Sequence, residues 1–214
     1  MEIITDSIQG DDAWFVHRLA SIGGSGIKNV IAKGRGKNPS KTRTAYLFKK
    51  ADEFITRMRT ESYQDENMRL GTDSEPLSRV CYEFENDVEV EQVALIKNGD
   101  HKHISPDGLV GKPGMLEIKN TNGPNYVGTI DMDRVPPEHN PQIQWGLSRA
   151  GREWCDFVHG CWIRKGNDIV ARYPAKPIWT KRVFRDEKVI RTLEEEADLF
   201  IEEMMVLVEK IRSL

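Results

Sequence analysis

The apolar positions of this chain change period along its length, and those changes predict its elements. Asp11-Asp12-Ala13-Trp14 opens a short helix with acids at its N-terminus and Trp14, Val16 or Leu19 to bury. The glycines of Ser21-Ile22-Gly23-Gly24-Ser25-Gly26 read as a break, and Ile27 to Ala32 as a second short helix. Between Thr44 and Arg59, Tyr46, Leu47, Phe54, Ile55 and Met58 recur at helical spacing. A further helix is expected from Asn67 to Phe84, interrupted or bent near Gly71 and Pro76. The period then shortens. Val88, Val90, Val93, Leu95 and Ile96 read as one strand, and the stretches around Asp107 and Glu117 as two more, in an antiparallel meander. Pro141 to Arg149 is a helix candidate. Trp154 to Ile163 and Asp168 to Tyr173 read as strands joined by a turn at Gly166-Asn167. From Asp186 to Leu214, Leu193, Ala197, Phe200, Ile201, Met204, Leu207 and Ile211 form the stripe of a long amphipathic helix. Helices, then strands, then helices predict an α/β fold with a central mixed sheet of about five strands flanked by helices.

Composition narrows the picture. A length of 214 residues suits one domain, spanning 1–214. The formal charge of −3 leaves no global polycation, so any nucleic-acid binding must come from a local patch. Lys33 to Arg43 (KGRGKNPSKTR) is such a patch and reads as an exposed loop. Cys81, Cys155 and Cys161 are an odd number without CxxC spacing, which disfavours a disulfide framework or cysteine zinc site and suits a reducing cytoplasm. No signal peptide and no membrane-spanning run are expected.

The chemistry concentrates in Ile104-Ser105-Pro106-Asp107-Gly108 and Met115-Leu116-Glu117-Ile118-Lys119, with Gly111, Pro113 and Gly114 marking the turn between them. Alternation puts Glu117 and Lys119 on one face of a strand and Ile118 on the other. A hairpin brings Asp107, near the end of the first strand, beside Glu117 on the second. Two hard oxygen anions suit Mg²⁺, which keeps waters and accepts phosphate oxygens as further ligands. The reaction this suggests is metal-assisted phosphodiester hydrolysis. Ser-Pro-Asp-Gly is also an ordinary turn, and Glu-x-Lys also a solvated strand face.

Lys119 would stabilise charge and orient water; accepting a proton would require a metal to cancel the carboxylate field that favours its charged form. A second ion needs a third acid, for which Glu75 is the choice, although composition does not separate it from Asp73. Arg18 and Ser25 suit a phosphate, with Ser25 among glycines at a helix start. Arg35 and Lys37 suit a DNA backbone. Gln142 and Gln144 suit water orientation or DNA contact, and are also ordinary surface amides. His101, His103 and His139 lack the second pair that would close a zinc site and read as polar edge residues.

These residues carry a resemblance. Asp11-Asp12-Ala13-Trp14, Arg18-Leu19, Ser25, Asn29 to Lys33, Gly71 with Glu75, Ser105 to Leu109, Leu116 to Lys119 and Gln142-Ile143-Gln144 occur in an order that resembles the phage lambda-type exonuclease family of restriction-endonuclease-like PD-(D/E)xK nucleases. The resemblance implies a Mg²⁺-dependent 5′-to-3′ exonuclease that degrades one strand of linear double-stranded DNA to mononucleotides. It implies two ions per site, with Mn²⁺ able to stand in for Mg²⁺. It also implies a homotrimeric ring, a single-strand annealing protein as partner, and a phage or prophage origin with action in the host cytoplasm. By position, Asp107, Glu117, the Ile118 carbonyl and Glu75 would hold metal, Lys119 would face the water, and Gln142 matches an active-site glutamine. Arg18 and Ser25 would hold the 5′-phosphate, Arg35 would contact DNA, and Met68 would part the terminal base pair. The segment Asn120 to Asn125 departs from the family's basic pattern, and Leu70 replaces a bulkier aromatic. A restriction-like or structure-specific endonuclease with the same metal core is the second reading, and a non-catalytic DNA-binding subunit the third.

Overall fold

The computed structural model describes residues 1–5, 7–34, 40–60 and 65–214. The chain begins with β1 (Glu2–Ile4) and two short helices, α1 (Asp12–Arg18) and α2 (Gly24–Val30). Asp11 caps α1 by accepting from the Trp14 N–H at 2.7 Å, as the acids predicted. Burial differs from expectation: no residue of α1 is fully buried, and Val16 is exposed. The glycines expected to break the chain instead form the first turn of α2. They serve close packing, since a Cβ on Gly24 would lie 2.5 Å from Ile104 Cδ1, and one on Gly26 would strike the Tyr46 hydroxyl.

Next come α3 (Lys41–Thr56) and α4 (Glu66–Asn86). Ser40 caps α3, so Lys41 to Arg43 belong to a helix rather than to the basic loop. Residues 35–39 of that loop, with Arg35 and Lys37, lie outside the described residues. Helix α4 runs uninterrupted through Gly71 and Pro76. Tertiary contacts override the local breakers here. Leu77, Cys81 and Tyr82 pack on the sheet, and the Gly71 carbonyl accepts the Asn120 amide at 3.1 Å.

The strand expected over 88–96 is two strands, β2 (Val90–Glu91) and β3 (Leu95–Lys97), which enter different sheets. With β4 (His103–Ile104), β3 joins β1 in a three-stranded sheet whose first strand no local pattern announced. Then follow β5 (Gly108–Val110), β6 (Gly114–Asn120), α5 (Gly123–Met132) and α6 (Asn140–Ala150). The last part holds β7 (Trp154–Gly160), β8 (Trp162–Lys165), β9 (Asp168–Ala171), β10 (Ile178–Phe184) and α7 (Glu187–Arg212). The single strand expected over 154–163 therefore breaks at Cys161, and β8–β9 form a separate two-stranded hairpin. Neither α5, rich in Gly, Pro and Asn, nor β10, with Lys181 and Arg182 in its middle, was legible as an element.

The central sheet has five strands in the order β10-β7-β6-β5-β2, with β6 in the middle. The β6–β7 pair is parallel and the others antiparallel, so the mixed α/β architecture is as expected. Alternation along β6 feeds two cores. Met115 packs with Ile143 and Leu147 of α6 on one face, and Leu116 and Ile118 with Tyr82 of α4 on the other. Helix α7 buries Ile190, Leu193, Ala197, Phe200, Met204 and Val208; Ile211, expected in that stripe, is exposed. Among the described residues no helix is long and apolar enough to cross a membrane.

Candidate active site

The β5–β6 register pairs Gly108 with Leu116, so the residue before β5, Asp107, arrives opposite Glu117. Asp107 lies in the loop entering β5 rather than at a strand end, and its Oδ2 accepts the Ile118 N–H at 2.6 Å. Glu117 is 1% exposed. Its Oε1 accepts from Lys119 Nζ and from Gln142 Nε2 of α6, while its Oε2 is buried without a partner. The other face of the strand carries Ile118, as alternation required.

Helix α4 brings the third acid. Glu75 lines the same cleft as Asp107, whereas Asp73 pairs outward with Arg164, a distinction composition could not make. Arg79, one turn after Glu75, binds the Glu75 carboxylate and donates from Nε to the Asp107 carbonyl at 3.1 Å. Buried Arg79 thus ties α4 to the Asp107 loop. Sequence reasoning missed it; the available signal was the i,i+4 spacing from Glu75.

Charge is concentrated here without full compensation. Burial pushes Glu117 up to about 7. Burial and the neighbouring Asp107 charge push Glu75 up to about 7 as well. Burial also raises Asp107. For Lys119, burial pulls downward, but Glu117, Asp107 and Glu75 outweigh it and hold the ammonium above its ordinary range.

Glu75, Asp107, Ile118 and Lys119 line a cleft of about 720 Å³, with Met68 of α4 exposed along its side. A second cleft of about 540 Å³ holds Arg18, Ser25, Lys49, Lys50 and Arg59. The structure therefore divides the expected site residues between two clefts, which share no lining residue among those described. Gln142 stands between them: it binds Glu117 on one side, and a Cβ at Gly24 would lie 3.3 Å from its Cγ on the other.

Arg18 stacks its guanidinium 3.7 Å from the Trp14 ring centroid and donates from Nε to His103 Nε2 at 3.2 Å. Burial lowers Arg18 to about 10, which still leaves it charged at neutral pH. His103, expected at a polar edge, is buried and neutral, because burial holds it well below its ordinary value; its Nδ1 lies 2.8 Å from Ser21 Oγ. Lys49, Lys50 and Arg59 joined this cleft without any sequence motif to announce them.

Among the described residues no three His, Cys, Asp or Glu side chains converge closely enough to hold an ion as they stand. Glu75 is turned to Arg79, and Glu117 to Lys119 and Gln142. The donor set still fits a hard divalent cation: carboxylates raised by burial, and an unpartnered buried oxygen on Glu117.

A five-stranded mixed sheet with helices packed on both faces defines a protein of the alkaline exonuclease fold. The chain superposes on the crystal structure of an alkaline exonuclease from Laribacter hongkongensis with a TM-score of 0.83 and 28% identity, covering 95% of this chain and 97% of that one. The same enzyme in complex with dAMP gives 0.83 and 29%, with the same coverage. A phage-related exonuclease of Haemophilus somnus shares the fold at 10% identity, with a TM-score of 0.69 over 93% of this chain and 99% of that one. The model of the YqaJ-like viral recombinase domain matches residues 13–153, and the chain belongs to that family. An Acanthamoeba polyphaga mimivirus protein is 31% identical over 103 residues, 41% of this chain and 19% of that protein, so the chain spans about a fifth of that relative's length.

Proposed function

We propose that this chain is a metal-dependent deoxyribonuclease that removes mononucleotides from the 5′ end of one strand of linear duplex DNA and leaves a 3′ single strand for annealing. The observation that carries this reading is the pairing of Asp107 with Glu117, whose Oε2 is unpartnered, beside Lys119 at an open cleft. Membership of a viral recombinase family and the likeness to an alkaline exonuclease, one structure of which holds a deoxynucleotide, support it.

Asp107, Glu117, the Ile118 carbonyl and Glu75 would hold Mg²⁺, or Mn²⁺ in its place, as two ions. The metal supplies a Lewis acid for the phosphate and lowers the pKa of water. Lys119 neutralises charge on the phosphate and orients the water; its raised pKa argues against proton acceptance in the metal-free site. The Gln142 amide holds Glu117 Oε1 and so limits its rotation. Water oxygen bonds to phosphorus as the P–O3′ bond breaks, which releases a nucleoside 5′-phosphate and leaves a new 5′-phosphate on the strand. Arg18 and Ser25, in the adjoining basic cleft, hold that terminal phosphate. Exposed Met68 parts the end base pair, and Arg35 adds a backbone contact. A homotrimeric ring, a single-strand annealing partner and a phage or prophage setting in a bacterial cytoplasm complete the reading.

End-labelled linear duplex incubated with Mg²⁺ tests it. Progressive loss of the 5′ strand to mononucleotides, with closed circular duplex intact, is the expected result. Cutting of closed circles would favour a restriction-like endonuclease. No nucleotide release with either Mg²⁺ or Mn²⁺ would leave a non-catalytic DNA-binding subunit.

A further inference from the structure

We propose that Arg172, carried to the catalytic cleft at the end of the β8–β9 hairpin, grips a backbone phosphate of the strand being processed. The cleft presents three acids on its lining, Asp65, Glu75 and Asp107, against two cations, Lys119 and Arg172. Lys119 is bound to Glu117. Arg172 forms no salt bridge among the described residues and is exposed. A polyanion approaching this cleft meets more carboxylates than cations, and among the described lining residues Arg172 is the cation free to offset them.

Its position is set by the fold. Trp162 of β8 donates to Ser78 of α4 at 2.8 Å, and Arg164 pairs with Asp73, so the hairpin is fastened to the helix that carries Glu75. The Arg172 N–H then donates to the Cys161 carbonyl at 2.9 Å, which closes the hairpin's base. The guanidinium lies against Gly123, where a Cβ would come within 2.7 Å of Nε and 3.2 Å of Cζ. Gly123 thus leaves room for the side chain, in the segment 120–125 that ends β6 and opens α5 and that itself contains no basic residue. A planar guanidinium with several donors suits a phosphodiester, and among the described residues no carboxylate pairs with it.

The inference rests on the nuclease reading only for the identity of the polyanion. Binding of fluorescently labelled, 5′-phosphorylated duplex DNA is measured in EDTA over a range of salt concentrations, separately from cleavage. Arg172→Gln should weaken binding roughly fivefold and reduce the slope of log K against log salt by about one, whereas Arg172→Lys keeps that slope. Unchanged affinity and slope in Arg172→Gln overturns the proposal. So does weaker binding with an unchanged slope, which marks a structural effect. If Arg172→Gln does not fold, Gly123→Ala, which must push the guanidinium aside, carries the test: reduced affinity supports the contact and wild-type affinity rejects it. A protein that binds but never cleaves fails the nuclease reading alone.

Discussion

Three carboxylates and one ammonium share a small space, and the balance among them governs both chemistry and stability. Glu75 and Glu117 rise from the ordinary 4.5 to about 7 on folding. In the metal-free protein the native state therefore holds more protons than the unfolded chain across that window, and stability falls as pH rises through it. The expected outcome is a melting temperature that declines from about 4.5 to about 7, with Glu117→Gln flattening the decline. Above the window Mg²⁺ should raise the wild-type melting temperature and leave Glu117→Gln unmoved; a flat metal-free profile would contradict the assignment. Asp107→Asn and Glu117→Gln should each reduce cleavage at least about a hundredfold with the circular dichroism spectrum retained. Arg18→Ala should bring the rate ratio of 5′-phosphorylated to 5′-hydroxyl ends to about one, and an unchanged ratio would remove Arg18 from that role. Asp107, Glu117 and Lys119 were legible because strand alternation is local. Arg79 offered only its spacing from Glu75, because its tie to the Asp107 loop is long-range, and His103 offered nothing local, because its partners Arg18 and Ser21 come from elsewhere in the chain.

Helix α4 and strand β6 are joined by a short polar chain. Ser78, fully buried, donates to Asn120 Oδ1 at 2.7 Å and accepts from Trp162 Nε1, while the Asn120 amide reaches the Gly71 carbonyl. Asn120 follows Lys119 directly, so this chain sets the distance between the helix bearing Glu75 and the strand bearing Glu117. Ser78→Ala leaves a buried donor and acceptor unpaired and should cost about 1–3 kcal/mol in urea unfolding. A value near zero would mean that the helix is placed by apolar packing alone. The same chain helps explain why Gly71 and Pro76 do not end α4: the carbonyl at Gly71 has a partner outside the helix, and the packed face of Leu77, Cys81 and Tyr82 holds the rest. Local propensity forecast a break, and long-range contacts prevailed.

Across the molecule, the two clefts differ in charge, one lined by more acids than bases and one by more bases than acids. A strand whose terminal phosphate sits by Arg18 would present its next phosphodiester to Asp107 and Glu117. Nucleoside 5′-monophosphates should therefore dominate the products from the first turnover, as chromatography of early time points would show. Predominant dinucleotides would indicate a different spacing between the clefts.

Periodicity and spacing alone were enough to specify the C-terminal helix, the hairpin that confronts Asp107 with Glu117, and the mixed α/β class, since each depends on neighbours a few residues apart. Folding in three dimensions decided the rest. It pairs Ile3 with Ile96, adds β10 beside β7, selects Glu75 over Asp73 for the cleft, and sets Arg18 in a different cleft from Glu75 and Asp107. Those outcomes depend on segments far apart in the chain, whose approach is set by packing and loop closure rather than by any local pattern.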